Sequence, residues 1–208
     1  WPPFMTSTLQ QEASRKLGLG ARACMSAAQR LYEAGHITYM RTDGIDMAPE
    51  AVTAARAGIA ERFGAAYVPD APRIYKNKAK NAQEAHECIR PTVMSDGPEK
   101  LRLTDADQRR LYDLIWKRTL ASQMAAARLE RTTVDVASPD AQVILRATGQ
   151  VVLFDGFLKG YDAGRDADEG DDARLPQIMA NEAVDKRKVA PEQHFPQAPP
   201  RYTEATLV

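Results

Sequence analysis

Cysteine and histidine are scarce in this sequence, and neither sign of charge is in excess. Only Cys24 and Cys88 stand among 208 residues, too few for a disulfide framework and without a metal-ligand spacing. A reducing compartment is the simplest setting for such a chain. The three histidines, His36, His86 and His194, lie far apart, so no zinc-type set is expected. Lys+Arg and Asp+Glu are 28 each, which excludes a blanket polycation and an acidic tail protein. No stretch approaches the ~18 apolar residues of a membrane helix, so no membrane partner is expected. No signal peptide is expected. The chain opens Trp1-Pro2-Pro3-Phe4 without an initiator methionine, as expected of a piece of a larger protein.

What is present reads as an ordinary globular composition, 44% hydrophobic and 27% charged. The length allows one domain or two small ones. Residues 1–125 carry 18 basic and 14 acidic side chains, and residues 126–208 carry 10 and 14. That modest asymmetry is compatible with nucleic-acid binding in the first half.

The first hundred residues read mostly as helix. Thr6-Ser7-Thr8 offers N-cap hydroxyls before Leu9-Gln10-Gln11-Glu12-Ala13. A second helix is expected from Ala21 to Glu33, closed by Gly35. Ile37 to Arg41 reads as a short strand or extended segment. Helix, glycine turn, helix, short strand is the order of a winged helix-turn-helix unit. A third helix is expected from Pro49 to Phe63, then a loop from Val68 to Asn81 carrying Lys76, Lys78 and Lys80. A fourth should start near Thr104-Asp105-Ala106-Asp107 with an apolar stripe of Leu111, Leu114, Ile115 and Leu120.

Beyond about residue 128 the period shortens. Thr132–Val136, Gln142–Ala147, Val151–Phe154 and Glu182–Asp185 are candidate strands. The acidic stretch Asp162–Arg174 reads as a solvated loop, because its Asp166-Ala167-Asp168-Glu169 run lacks the spacing of a calcium loop. The fold class is therefore α+β. The final Pro199-Pro200-Arg201-Tyr202-Thr203-Glu204 echoes the opening Pro2-Pro3-Phe4-Met5-Thr6-Ser7 and should begin another helix.

Chemistry concentrates in Gly35-His36-Ile37-Thr38-Tyr39-Met40-Arg41-Thr42-Asp43-Gly44. In an extended chain Tyr39 and Arg41 share a face. A tyrosine oxygen attacks phosphorus if something offsets its pKa of about 10. A guanidinium beside it stabilises a phenolate and a phosphoryl oxygen. The bland alternative is a tyrosine packed at a strand edge with a surface arginine. In Gln83-Glu84-Ala85-His86-Glu87-Cys88-Ile89-Arg90-Pro91, His86 is either a surface histidine or one that contacts phosphate or moves a proton.

These stretches, with Ala28-Gln29-Arg30-Leu31-Tyr32-Glu33 and the closing Pro200-Arg201-Tyr202-Thr203-Glu204-Ala205-Thr206-Leu207-Val208, resemble bacterial DNA topoisomerase I, a type IA topoisomerase. The methionine in Tyr39-Met40-Arg41-Thr42-Asp43 favours topoisomerase I over topoisomerase III, where proline is more typical. The resemblance implies that Tyr39 attacks a DNA phosphodiester and keeps the 5′-phosphate, that Arg41 contacts the scissile phosphate, and that His86 binds the DNA backbone. Glu33, Thr38, Thr42 and Asp43 match residues flanking the catalytic centre, while Gly44 departs from the usual serine.

It further implies a winged-helix (CAP-like) tyrosine-bearing domain over residues 4–125, part of a β-rich arch domain over 126–196, and the truncated start of a further helical domain over 197–208. Its other implications are ATP-independent relaxation of negative supercoils, a preference for single-stranded DNA, and a bacterial, cytoplasmic, nucleoid-associated setting. Mg²⁺ would serve the full-length enzyme through ligands in a Toprim domain outside this chain, with none bound here. The Toprim and gate domains would then be missing partners, and the piece alone inactive. The alternative is a non-catalytic winged-helix DNA-binding module fused to a β interaction domain. A protein–protein adaptor is the third, blander reading.

Overall fold

The computed structural model describes residues 1–76, 87–161, 178–188, 190, 191, 193, 195, 198, 201, 202 and 207. Two compact units emerge. One comprises Trp1–Ala126, Gly156–Gly164 and Tyr202–Val208; the other comprises Ala127–Asp155 and Arg165–Arg201.

The first unit is helical. Its helices are α1 (Thr6–Leu17), α2 (Ala21–Glu33), α3 (Pro49–Phe63) and α4 (Ala106–Gln123). Each has a local reason to form and to stop. α1 ends at Gly18, whose φ of 67° is left-handed, and the Leu19 N–H returns to Ala13 O. α2 spans the residues its periodicity predicts, with Cys24, Ala27, Ala28 and Leu31 inward. Gly35, at φ 74°, then turns the chain. Pro49 opens α3, and the Asp105 carboxylate caps α4 by accepting the Asp107 and Gln108 N–H groups.

The first cap differs from the sequence reading. Met5 occupies the cap position of α1, and the Thr8 hydroxyl accepts its N–H. The Thr6 hydroxyl is directed elsewhere, as described below.

The core gathers Phe4, Leu9, Leu31, Ile37, Ile59, Ile89, Leu111 and Ile115, all at most 1% exposed. Each such side chain contributes about 1.5–3 kcal/mol through removal from water. α4 is buried nearly all round: α1, α2 and α3 all pack on it. Two of its polar tips hold the loop that precedes it, since the Trp116 indole donates to Met94 O and the Tyr112 hydroxyl to Asp96 O.

The strand expected after α2 is only partly realised. Ile37 bridges Pro91, Phe4 bridges Ile89 and Asp46 bridges Glu87, each as an isolated pair. The helix–glycine–helix order is present, but among the described residues no wing hairpin forms.

The second unit contains β1 (Arg128–Ala137) and β2 (Ile144–Phe154), an antiparallel pair. Gln142–Ala147 and Val151–Phe154, expected as separate strands, merge into one because Gly149 pairs with Thr132 and the ladder runs through it. Asp135 and Arg146 stand directly opposite and form a two-pronged ion pair. Residues 182–185 form no strand, which corrects that expectation; Glu182 instead closes a turn, its N–H donating to Met179 O. The acidic stretch 162–174 and most of the terminal Pro-Pro echo lie outside the described residues. Among the described residues no helix is long and apolar enough to cross a membrane.

Candidate active site

From Tyr39 to Asp43 exposure alternates residue by residue, although the backbone bends at Thr38, Met40 and Arg41 and Ile37 stands out of phase. Ile37, Met40 and Thr42 are buried, while Tyr39, Arg41 and Asp43 are exposed. Two apolar side chains and one threonine thereby anchor the inner side. The outer side presents a phenol and a guanidinium two residues apart, as the period of an extended chain requires.

Hydrogen bonds fix both flanks of this segment. On one, the Thr38 N–H donates to Arg90 O at 2.9 Å, and the Arg90 N–H donates to the Thr38 hydroxyl at 3.0 Å. The same hydroxyl donates to Cys88 O at 2.7 Å. On the other, the first residue of α1 holds Met40 and Thr42. The Ile89 N–H donates to Phe4 O and ties the two flanking pieces to each other.

Tyr39 stands on the exposed side of this segment. It is 48% exposed and sits edge-on to Tyr32, at the end of α2, with ring centroids 5.3 Å apart. Tyr112 and Tyr161 are buried, and burial holds their phenols well above the ordinary value. Tyr75 is raised for the same reason, and its hydroxyl donates to Ser122 O. The thiols are equally unsuited: burial pushes Cys24 and Cys88 up to about 12, so both stay protonated at neutral pH.

Arg41 extends from the exposed side, and among the described residues no carboxylate pairs with it. An uncommitted guanidinium on an exposed face suits a phosphate, which it grips through two parallel N–H donors.

The other sequence candidates take different places. Glu33, the last residue of α2, is exposed and accepts from Gln29 Nε2 at 2.8 Å. Thr38 turns its hydroxyl into the backbone of the 88–90 strip. Thr42 is buried, and its hydroxyl accepts the Gly44 N–H at 2.9 Å. Asp43 is exposed beside Arg41 in sequence. His86 lies outside the described residues, together with Gln83, Glu84 and Ala85.

Its neighbour Glu87 is firmly placed. The Glu87 carboxylate takes a forked ion pair from Arg90 and also accepts the Ala48 N–H at the start of α3, at 2.9 Å. Sequence reasoning passed over Glu87, Arg90, Thr6 and Tyr32 as site residues. Only the i,i+3 spacing of Glu87 and Arg90 was a local signal, and their role as a clasp requires α3 alongside.

A metal fits poorly. Among the described residues no group of three or more His, Cys, Asp or Glu side chains converges. Glu87 is committed to Arg90 and Ala48, and Glu12 to Lys16, Arg118 and Tyr161.

Comparison with known proteins places the chain in a family. A family model described as DNA topoisomerase matches residues 1–208. DNA topoisomerase 1 of Zymomonas mobilis is 56% identical over 214 residues, covering all of this chain and 17% of the relative. The Rickettsia conorii protein of the same name is 45% identical, with 28% of its length covered, and that of Xylella fastidiosa is 47% identical, with 27% covered. The chain therefore spans less than a third of the curated relatives it matches. Full-length topoisomerase I from Thermotoga maritima superimposes with a TM-score of 0.68 at 37% identity, over 83% of this chain and 29% of that one. With its tyrosine and arginine exposed on one pinned strip, this chain belongs to the bacterial, type IA family of DNA topoisomerases.

Proposed function

We propose that this chain is the tyrosine-bearing part of an enzyme that cuts one DNA strand, lets another strand pass and reseals the break, relaxing negative supercoils. Tyr39 is the nucleophile. Its oxygen gives up its proton and forms a bond to phosphorus, the bond from phosphorus to the 3′ oxygen breaks, and that oxygen takes up a proton, so the exchange is proton-neutral overall. The product is a 5′-phosphotyrosyl ester and a free 3′ hydroxyl. Resealing runs the same exchange backwards. One phosphoester replaces another, so no ATP is needed.

Arg41 has the charge-stabilising role, on the phosphoryl oxygens as negative charge develops there. Thr38 and Thr42 act through the backbone that carries this pair, and Glu33 and Asp43 border it. His86 is assigned to the DNA backbone by its place in the Gln83–Pro91 stretch. Mg²⁺ would serve the full-length enzyme through ligands in its Toprim domain. The remaining partners are DNA, preferentially single-stranded, and the Toprim and gate domains of the same protein. The setting is the bacterial cytoplasm, at the nucleoid.

The observation that supports this reading is the alternation of Tyr39 and Arg41, exposed, with Met40 and Thr42, buried, on a strip hydrogen-bonded along both flanks. The test uses the full-length protein containing this chain, with relaxation of negatively supercoiled DNA as the readout. Tyr39→Phe is expected to abolish relaxation and the covalent adduct together. A variant that still relaxes DNA overturns the assignment. Preferential binding to duplex DNA with sequence preference, in a salt titration, would favour the regulator instead.

A further inference from the structure

Thr6 stands at the first position of α1, where a threonine hydroxyl ordinarily serves the helix end. Here Thr8 performs that service for Met5. The Thr6 hydroxyl instead donates toward Met40 O at 2.8 Å and Thr42 O at 2.9 Å, and accepts the Thr42 N–H at 2.8 Å. The Thr6 N–H adds a bond to Thr42 O at 2.9 Å. One residue thereby holds the peptide groups on both sides of Arg41, more than thirty positions away in sequence.

The helix that carries Thr6 is itself anchored. Leu9 and Ala13 are fully buried, and Glu12 is bound by Arg118 and by the Tyr161 hydroxyl. Tyr39 is the residue immediately before this clasp, and Arg41 lies within it.

We propose that Thr6 is a positioning residue for the Tyr39–Arg41 pair. This rests on the nucleophile assignment made above. Its hydroxyl fixes the rotation of the two peptide groups flanking Arg41, and so the reach of the guanidinium relative to the tyrosine oxygen. Removing the hydroxyl keeps both side chains chemically intact but loosens the peptide groups around Arg41, where only the Thr6 N–H bond to Thr42 O remains. A misplacement of ~1 Å in a reacting constellation costs on the order of 100-fold in rate. Ground-state binding of a DNA strand, spread over many phosphates, is far less sensitive to one such displacement.

The experiment uses the full-length enzyme and a single-stranded oligonucleotide, with single-turnover cleavage, adduct formation and oligonucleotide affinity measured on the same preparations. Thr6→Val and Thr6→Ala, two hydroxyl-free variants of different bulk, are expected to cleave roughly 10–100-fold more slowly with affinity within about twofold of the parent. Thr6→Ser, which keeps the hydroxyl, is expected to recover the rate to within about threefold. The proposal is overturned if either hydroxyl-free variant that folds cleaves at the parental rate. It is equally overturned if Thr6→Ser is as slow as Thr6→Val, or if affinity falls as far as rate. Tyr39→Phe, run alongside, separates the two claims. If it still forms adduct, the nucleophile assignment fails. If it is dead while Thr6→Val cleaves normally, only the positioning role fails.

Discussion

Replacing Arg118 by methionine tests what holds α1, and with it the clasp on the active strip. Arg118 is 3% exposed in the middle of α4. Its Nε donates to Pro2 O at 2.7 Å, and its Nη1 donates to Glu12 Oε1 at 3.1 Å and to the Tyr161 oxygen at 2.9 Å. The guanidinium also lies over the rings of Phe4, Trp1 and Tyr161. Methionine keeps the apolar stem and removes the charge and every donor. Breaking a buried ion pair on one side costs about 3–5 kcal/mol. Glu12 keeps Lys16 at 3.0 Å and the Tyr161 hydroxyl at 2.7 Å, which places the loss near the lower end. A loss of ~3 kcal/mol corresponds to a fall in melting temperature of roughly 6–12 °C for a chain of this size.

Urea titration of the 208-residue chain, followed by tryptophan fluorescence and far-ultraviolet circular dichroism, measures it. The charge argument makes a second demand. Adding Glu12→Gln to Arg118→Met removes the carboxylate left behind, so the double variant is expected to be no less stable than Arg118→Met alone. A single-variant loss below about 1 kcal/mol, or losses that simply add in the double variant, refutes the reasoning.

Further outcomes follow from the same contacts. Thr38→Val strands the Arg90 N–H and one acceptor site on Cys88 O, and is expected to cost about 1–3 kcal/mol in the same titration. Glu87→Gln leaves the Arg90 guanidinium, 11% exposed, without its counter-charge; a loss of about 1.5–3 kcal/mol is expected, and Arg90→Gln added to it should cost little more. Alkaline pH should destabilise the fold. Burial raises Cys24 and Cys88 to about 12, above the ordinary thiol, so the unfolded chain releases these protons first. Stability is then complete below about pH 8.5 and falls as pH rises toward 12, by about 1.4 kcal/mol per pH unit for each thiol. Tyr112 and Tyr161, raised by burial, steepen the fall above about pH 10. Cys24→Ala should flatten the slope between pH 9 and 12 by about 1.4 kcal/mol per unit, read from urea midpoints across that range.

The helices were legible because their causes are local. Met25, Ala28, Leu31 and Tyr32 repeat at helical spacing before Gly35, and the observed α2 has the predicted bounds, although Cys24 and Ala27 face inward with Ala28 and Leu31 while Tyr32 is exposed. Pro49 and Gly64 delimit α3, and Asp105 caps α4 where its sequence announces it. The segment after α2 was only half legible. Its alternation was visible, but its pairing was not, because the bridging residues Glu87 and Pro91 are remote in sequence and meet it one at a time. β2 was misread as two strands because Gly149 weakens a strand locally, while its partner Thr132 restores the ladder. Thr6 was read as a cap because threonine at a helix start usually is one; Thr8 took that task and left the hydroxyl of Thr6 to the strip around Arg41.

By itself, then, the sequence determined which residue types stand two apart on one extended strip, since that period is a property of the backbone. Only the tertiary structure decided which side of the strip meets solvent. Met40 and Ile37 have somewhere apolar to go because α1, α2, α4 and the 87–92 stretch assemble around them, and Tyr39 and Arg41 are outward as the complement of that burial.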